Sequence, residues 1–119
     1  MISHSHLAAA ADSHPRLLTL EHARAVVAEG GLIGAWPAGV AARNFDEYVD
    51  EIERLVDGVG LDHVAIGTDM DANYRPVVQS YDQLPDIADA LLDRGYGDED
   101  VGAVMGGNFL SLLERVCGL

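Results

Sequence analysis

The chain has 119 residues, one cysteine and a formal charge of −13, with 20 acids set against seven arginines and no lysine. That length holds one domain at most, and the charge argues against nucleic acid or an anionic membrane as a partner, since both need cationic patches. A lone Cys117 excludes an intramolecular disulfide framework, no apolar run approaches the roughly 20 residues of a membrane span, and with no basic-then-apolar leader visible the expected location is cytoplasmic.

In chain order, residues 1–3 read as the stub of a strand, followed by a polar turn over 4–12 that runs into an alanine tract. Thr19 is placed to cap a helix over 20–29, with Leu20, Ala23, Val26 and Val27 at helical spacing and Gly30-Gly31 ending it. Residues 32–36 form a short apolar run closed by Pro37, the pattern of a buried strand. Asn44 caps a second helix, on which Phe45, Tyr48, Val49, Ile52, Leu55 and Val56 share one face and acids fill the other. A further buried strand over 63–67 leads into Thr68-Asp69-Met70-Asp71, and a loop covers 72–83. Leu84, Ile87, Ala88, Leu91 and Leu92 mark a third helix that stops at Gly95. Asp98 is placed to cap a fourth, and Phe109, Leu112, Leu113 and Val116 mark a last one after the break at Gly106-Gly107. Trp36 and Phe109 read as core. Strands alternating with helices imply an α/β fold with parallel pairing. A closed (β/α)8 barrel needs about 250 residues, so residues 1–119 are expected to form a single partial domain.

The charge is uneven. Residues 1–45 are neutral, whereas from Asp46 onward 17 acids face four arginines, which accounts for the whole excess. Solvated helix faces explain this, so function is sought elsewhere.

Active sites of α/β folds gather just past the C-terminal ends of parallel strands, and three clusters meet that description. Ser3-His4-Ser5-His6 offers imidazoles, which are either metal ligands or part of a solvated segment. His14-Pro15-Arg16 offers a planar guanidinium suited to a carboxylate, or a surface arginine before a helix. Asp69-Met70-Asp71 offers two acids that either serve a cationic site and carry protons or cap a local turn. His22 and His63 read as structural. Gly106-Gly107-Asn108 lacks the Lys and Ser/Thr of a phosphate loop.

These segments resemble the C-terminal part of the membrane dipeptidase (renal dipeptidase) family of zinc metallopeptidases. The likeness is carried in family order by Ile2-Ser3-His4-Ser5, His14-Pro15-Arg16-Leu17-Leu18-Thr19, Gly30-Gly31-Leu32-Ile33-Gly34, Asp62-His63-Val64-Ala65-Ile66-Gly67-Thr68-Asp69-Met70-Asp71, Leu84-Pro85-Asp86, Leu91-Leu92-Asp93-Arg94-Gly95-Tyr96 and Gly106-Gly107-Asn108-Phe109-Leu110. The resemblance implies part of a (β/α)8 TIM-type barrel, incomplete in this chain, and hydrolysis of dipeptides at a two-zinc centre. By the same resemblance His4 is a zinc ligand, Arg16 receives the substrate carboxylate, and Asp69 shuttles a proton between attacking water and leaving amine.

Departures from the family pattern qualify this. The stretch from His4 to Arg16 is one residue longer than usual, which leaves His6 as an alternative register for the ligand. Leu17 stands where the family has Asn, and Ala72 where it has Gly. The family's His-x-Asp, bridging Glu and second ligand His lie upstream of this segment. The expectation is therefore a truncated or split dipeptidase, inactive alone. The alternative is a non-catalytic half-barrel that associates with itself or with a partner such as the missing N-terminal half.

Overall fold

A computed structural model describes residues 1–9, 14–72 and 74–118. Residues 10–13, on which part of the expected alanine tract falls, lie outside the described residues.

Three short strands, β1 (Ile2–Ser5), β2 (Ile33–Ala35) and β3 (Val64–Ile66), form one parallel sheet in the order β1-β2-β3. Ile33 pairs with Val64, Gly34 with Ala65 and Ala35 with Ile66, and the β1–β2 register shifts between Ile2 and Ser5. Helix α1 (Leu20–Ala28) connects β1 to β2, and α2 (Phe45–Val59) connects β2 to β3. The alternation read from the sequence is thus a mixed α/β sheet-and-helix architecture.

Local chemistry sets the helix starts. The Thr19 side chain accepts from the His22 amide at 3.1 Å, and Asn44 Oδ1 accepts from the Glu47 amide at 2.9 Å. Glu47 reaches back to the Arg43 amide at 2.8 Å, so an orphan donor of α2 and a backbone donor just before its cap are both satisfied. Tyr48, Val49, Ile52 and Leu55 are fully buried against the sheet, each stabilising by about 1.5–3 kcal/mol relative to exposure.

Beyond β3 come α3 (Leu84–Asp93), α4 (Asp98–Gly102) and α5 (Asn108–Cys117), with a wide turn over Ala103–Gly107 between the last two. The expected break at Gly106 is found there, whereas the expected cap of α4 is adjusted. Gly97, not Asp98, is the N-cap of α4, and the kink falls at Gly106, whose backbone leaves the helical region (ψ −23°). Asn108 then ties α5 to the sheet by donating to the Leu61 and Val64 carbonyls, each at 2.8 Å.

Two expectations are corrected. No polar turn begins at His4: β1 runs through Ser5, and Leu7, in the core, bridges to Leu18. Strand pairing holds this segment because Leu7 buries apolar surface there. Phe109 is 39% exposed rather than core, since α5 packs on the sheet through other residues and buries none of its own completely.

Candidate active site

All three strands are parallel, so their C-terminal ends lie along one edge of the sheet. There β1 presents His4, β2 runs into Trp36, and β3 runs through Gly67 and Thr68 to Asp69. The turn carrying Arg16 is closed by the Leu17 amide donating to the His14 carbonyl at 2.9 Å. It is pinned to β1 by Ser5, whose hydroxyl donates to the Arg16 carbonyl at 2.9 Å. One residue from each of the three clusters singled out in the sequence therefore reaches one place.

The geometry is compact. Arg16 Nη2 donates to His4 Nε2 at 3.1 Å, and Asp69 Oδ2 lies 3.6 Å from the same nitrogen. An arginine only donates, so His4 Nε2 is the accepting nitrogen and its proton sits on Nδ1, which donates to Ser3 Oγ at 2.8 Å. The His4 Nε2 lone pair thus faces the same space as the arginine and the carboxylate. Trp36 supplies a wall: its ring centroid is 5.5 Å from that of His4, and the Arg16 guanidinium lies 5.1 Å from the indole centroid. A cleft of about 580 Å³ opens here, lined by His14, Arg16, Trp36, Gly39, Val40, Asp69 and Tyr74.

Asp69 sits at φ +46°, a left-handed conformation uncommon outside glycine but tolerated by Asp and Asn. Asp71 is exposed, in the short turn Met70–Ala72, and does not line the cleft. Of the two acids, Asp69 is the one brought to His4.

His6 does not join them. It is fully buried, its Nε2–H donates to the Trp36 carbonyl, and its Nδ1 faces Glu51 Oε2 at 3.9 Å. Burial pushes its pKa down to about 4, partly offset by the bond to the Trp36 carbonyl, so the ring is neutral near neutral pH. Glu51 is held above the usual carboxylate range, chiefly by desolvation. Its burial departs from the expectation that the acids all lie on solvated faces. His22 lies exposed on α1, and His63 Nδ1 donates to the Gly31 carbonyl at 2.9 Å, the structural role expected of His63.

Trp36, Gly39, Val40 and Tyr74 were not singled out as site residues. The signal that finds Trp36 is the one that found His4 and Asp69: it is the first residue past the end of a parallel strand.

The donor set bears on a metal. His4 Nε2 has the lone pair and the second-ring-nitrogen bond that a metal-ligating imidazole needs, so it fits one ligand position. Among the described residues no group of three or more His, Cys, Asp or Glu is placed to hold an ion, and a complete site needs at least three protein donors. Among the same residues no helix is long and apolar enough to cross a membrane.

Comparison with known proteins identifies the family and the fold. Residues 1–118 match the membrane dipeptidase family, peptidase family M19. The chain is 32% identical over 77 residues to Dipeptidase aclJ of Aspergillus oryzae, covering 63% of this chain and 18% of that protein. It is 29% identical over 73 residues to Dipeptidase tcpJ of Claviceps purpurea, covering 60% and 17%. Among solved structures, a dipeptidase AC described as a metallopeptidase of family M19 superposes with a TM-score of 0.81 at 25% identity, over 94% of this chain and 35% of that one. An amidohydrolase from Pseudomonas aeruginosa gives 0.81 at 22%, over 98% and 45%. A metallopeptidase from Rhodobacter sphaeroides, liganded with a phosphinate mimic of the dipeptide L-Ala-D-Ala, gives 0.75 at 24%, over 84% and 31%. These last two likenesses concern the fold. The chain spans less than a fifth of the length of the curated relatives it matches. A family match over nearly every residue, on a fold shared with an M19 dipeptidase, means that this chain belongs to the membrane dipeptidase family.

Proposed function

We propose that this chain is the C-terminal part of a (β/α)8 metallo-dipeptidase barrel and contributes three groups to hydrolysis of a dipeptide. The observation that carries the reading is the convergence of Arg16 Nη2 and Asp69 Oδ2 on His4 Nε2, at 3.1 and 3.6 Å, beside the cleft that Arg16 and Asp69 line. Arg16 receives the C-terminal carboxylate of the dipeptide through its planar fork, with Trp36 holding the guanidinium from below. Asp69 takes a proton from the attacking water and returns it to the leaving amine, so the carboxylate ends as it began. His4 is one ligand of a two-zinc centre whose other donors come from outside the described residues. Zinc, when bound there, polarises the scissile carbonyl and lowers the pKa of water.

The test is hydrolysis of dipeptides in the presence of zinc, by the chain alone and by the chain supplied with the preceding barrel segments of an M19 relative. Little turnover is expected from the chain alone, and turnover lost on Asp69→Asn from the completed barrel. Turnover by the completed barrel that is indifferent to Asp69→Asn would overturn the assignment.

A second reading, a half-barrel that associates without catalysis, rests on the sheet itself. Within the described residues β1 and β3 are its two edges, each paired on one side, and open strand edges invite pairing. Size-exclusion chromatography distinguishes this reading: a stable monomer counts against it.

A further inference from the structure

The described histidines include one that the proposed chemistry does not use although it is the most deeply buried, His6. Its surroundings point to the cleft rather than to the core alone. Three successive carbonyls at the end of β2 are tied down. Ala35 O accepts from the Tyr48 hydroxyl at 3.2 Å and from the Gly67 amide at 3.0 Å, and Pro37 O accepts from the Val77 amide at 2.9 Å. Between them, Trp36 O accepts from His6 Nε2. A carbonyl cannot donate, so this bond fixes the tautomer and leaves the Nδ1 lone pair toward Glu51. Tyr48 meets the His6 ring edge-on at 6.0 Å and 72°, which limits how far the imidazole can turn.

We propose that His6 is a positioning residue: by holding the Trp36 carbonyl it sets the height of the indole on which Arg16 and His4 rest. The chain of contacts is short. His6 fixes the Trp36 backbone, the Trp36 ring lies 5.1 Å from the Arg16 guanidinium and 5.5 Å from the His4 ring, and those two side chains are bonded to each other. A small shift of the indole therefore moves both the group that would receive a carboxylate and the imidazole beside it. The inference deepens the proposed dipeptidase reading and rests on it for the identity of the ligand.

The chain contains one tryptophan, so its intrinsic fluorescence reports on Trp36 alone. The experiment compares acrylamide quenching of that emission, far-ultraviolet circular dichroism and the binding of alanylalanine in wild type, His6→Gln, His6→Asn and His6→Leu. Gln carries an N–H at about the reach of Nε2, Asn carries one too short to reach the Trp36 carbonyl, and Leu carries none. With dichroism unchanged, Asn and Leu are expected to expose Trp36 to the quencher and weaken alanylalanine binding about tenfold, the scale of one lost hydrogen bond. Gln is expected to restore both. A folded Asn or Leu variant with native quenching, or a Gln variant that restores neither property, overturns the role. The two readings fail separately. If wild type does not bind alanylalanine the dipeptide reading suffers, while the quenching series still decides what His6 does.

Discussion

The Arg16 guanidinium lies 5.1 Å from the centre of the Trp36 ring while its Nη2 donates to His4 at 3.1 Å. A cation over an indole face contributes about 0.5–2 kcal/mol, which corresponds to roughly 2–30-fold in affinity. Trp36→Leu is therefore expected to weaken dipeptide binding within that range while leaving the arginine's charge in place. Arg16→Lys keeps the charge but loses the planar fork, and it is expected to weaken binding further. Titration of both variants with a dipeptide checks this; equal affinity in wild type and Trp36→Leu would remove the tryptophan from the site.

Asp69 combines a chemical role with an unusual backbone, at φ +46°, and substitutions can separate the two. Asn tolerates the left-handed region about as well as Asp, so Asp69→Asn is expected to keep its melting temperature and lose turnover in the completed barrel by about 100-fold or more. Asp69→Val adds the backbone penalty of a β-branched residue, on the order of 1–2 kcal/mol, and is expected to melt lower as well. Calorimetry alongside the dipeptide assay reads both effects. Equal stability of the Asn and Val variants would contradict the strain argument.

The parts of this molecule that were legible in sequence are those whose cause is local. Thr19 and Asn44 cap their helices because the donor they satisfy lies three residues away. The apolar face of α2 follows from spacing alone. His4, Arg16 and Asp69 were placed near strand ends by the same kind of reading, and parallel pairing of β1, β2 and β3 then brings them together. What was not legible depends on distant partners. His6 and Glu51 lie 45 positions apart in sequence and meet only because the fold brings the segment that follows β1 against α2. Trp36 reads as core and at 5% exposure is buried as expected, yet its ring also forms a wall of the cleft. Phe109 fits the helical spacing of a core residue, but the face of α5 that meets the sheet is decided by where Asn108 anchors it.

Gly34 in β2 and Gly67 just past β3 yield a prediction about the sheet. A Cβ at Gly34 would lie 2.0 Å from the Ser3 carbonyl oxygen, and one at Gly67 would lie 1.8 Å from it. The obstacle is backbone of β1, which cannot rotate aside, so β1 would have to shift and carry His4 with it. Gly34→Ala and Gly67→Ala are each expected to destabilise by about 1–3 kcal/mol or more, the range for inserting a methyl group into a packed interior. Chemical denaturation measures the loss. A neutral effect at either position would mean that β1 does not cross these strands so closely.

The buried pair His6 and Glu51 makes stability depend on pH in two opposing ways. His6 titrates near 4 in the fold against 6.5 in the unfolded chain. Between those values the unfolded chain binds the extra proton, so this group's contribution is complete above about pH 6.5 and is lost as the pH falls toward 4. A displacement of that size corresponds to about 3 kcal/mol. Glu51 works in the other direction. Its pKa is raised by burial despite the attraction of Arg54, so the folded chain takes up its proton first and gains stability as the pH falls through that raised value. Wild type should therefore lose less on acidification than His6 alone would dictate. Urea denaturation between about pH 7 and pH 4 is expected to show a steeper acid loss in Glu51→Gln than in wild type. In His6→Gln the loss over the same range is expected to be shallower. Arg54 Nη1 bonds Glu51 Oε1 at 2.7 Å while Nη2 donates to the Leu7 carbonyl at 2.8 Å. Glu51→Gln keeps an oxygen for the first of these bonds, so the comparison reads titration rather than a broken anchor. Parallel pH profiles in all three proteins would show that neither buried group titrates as its surroundings require.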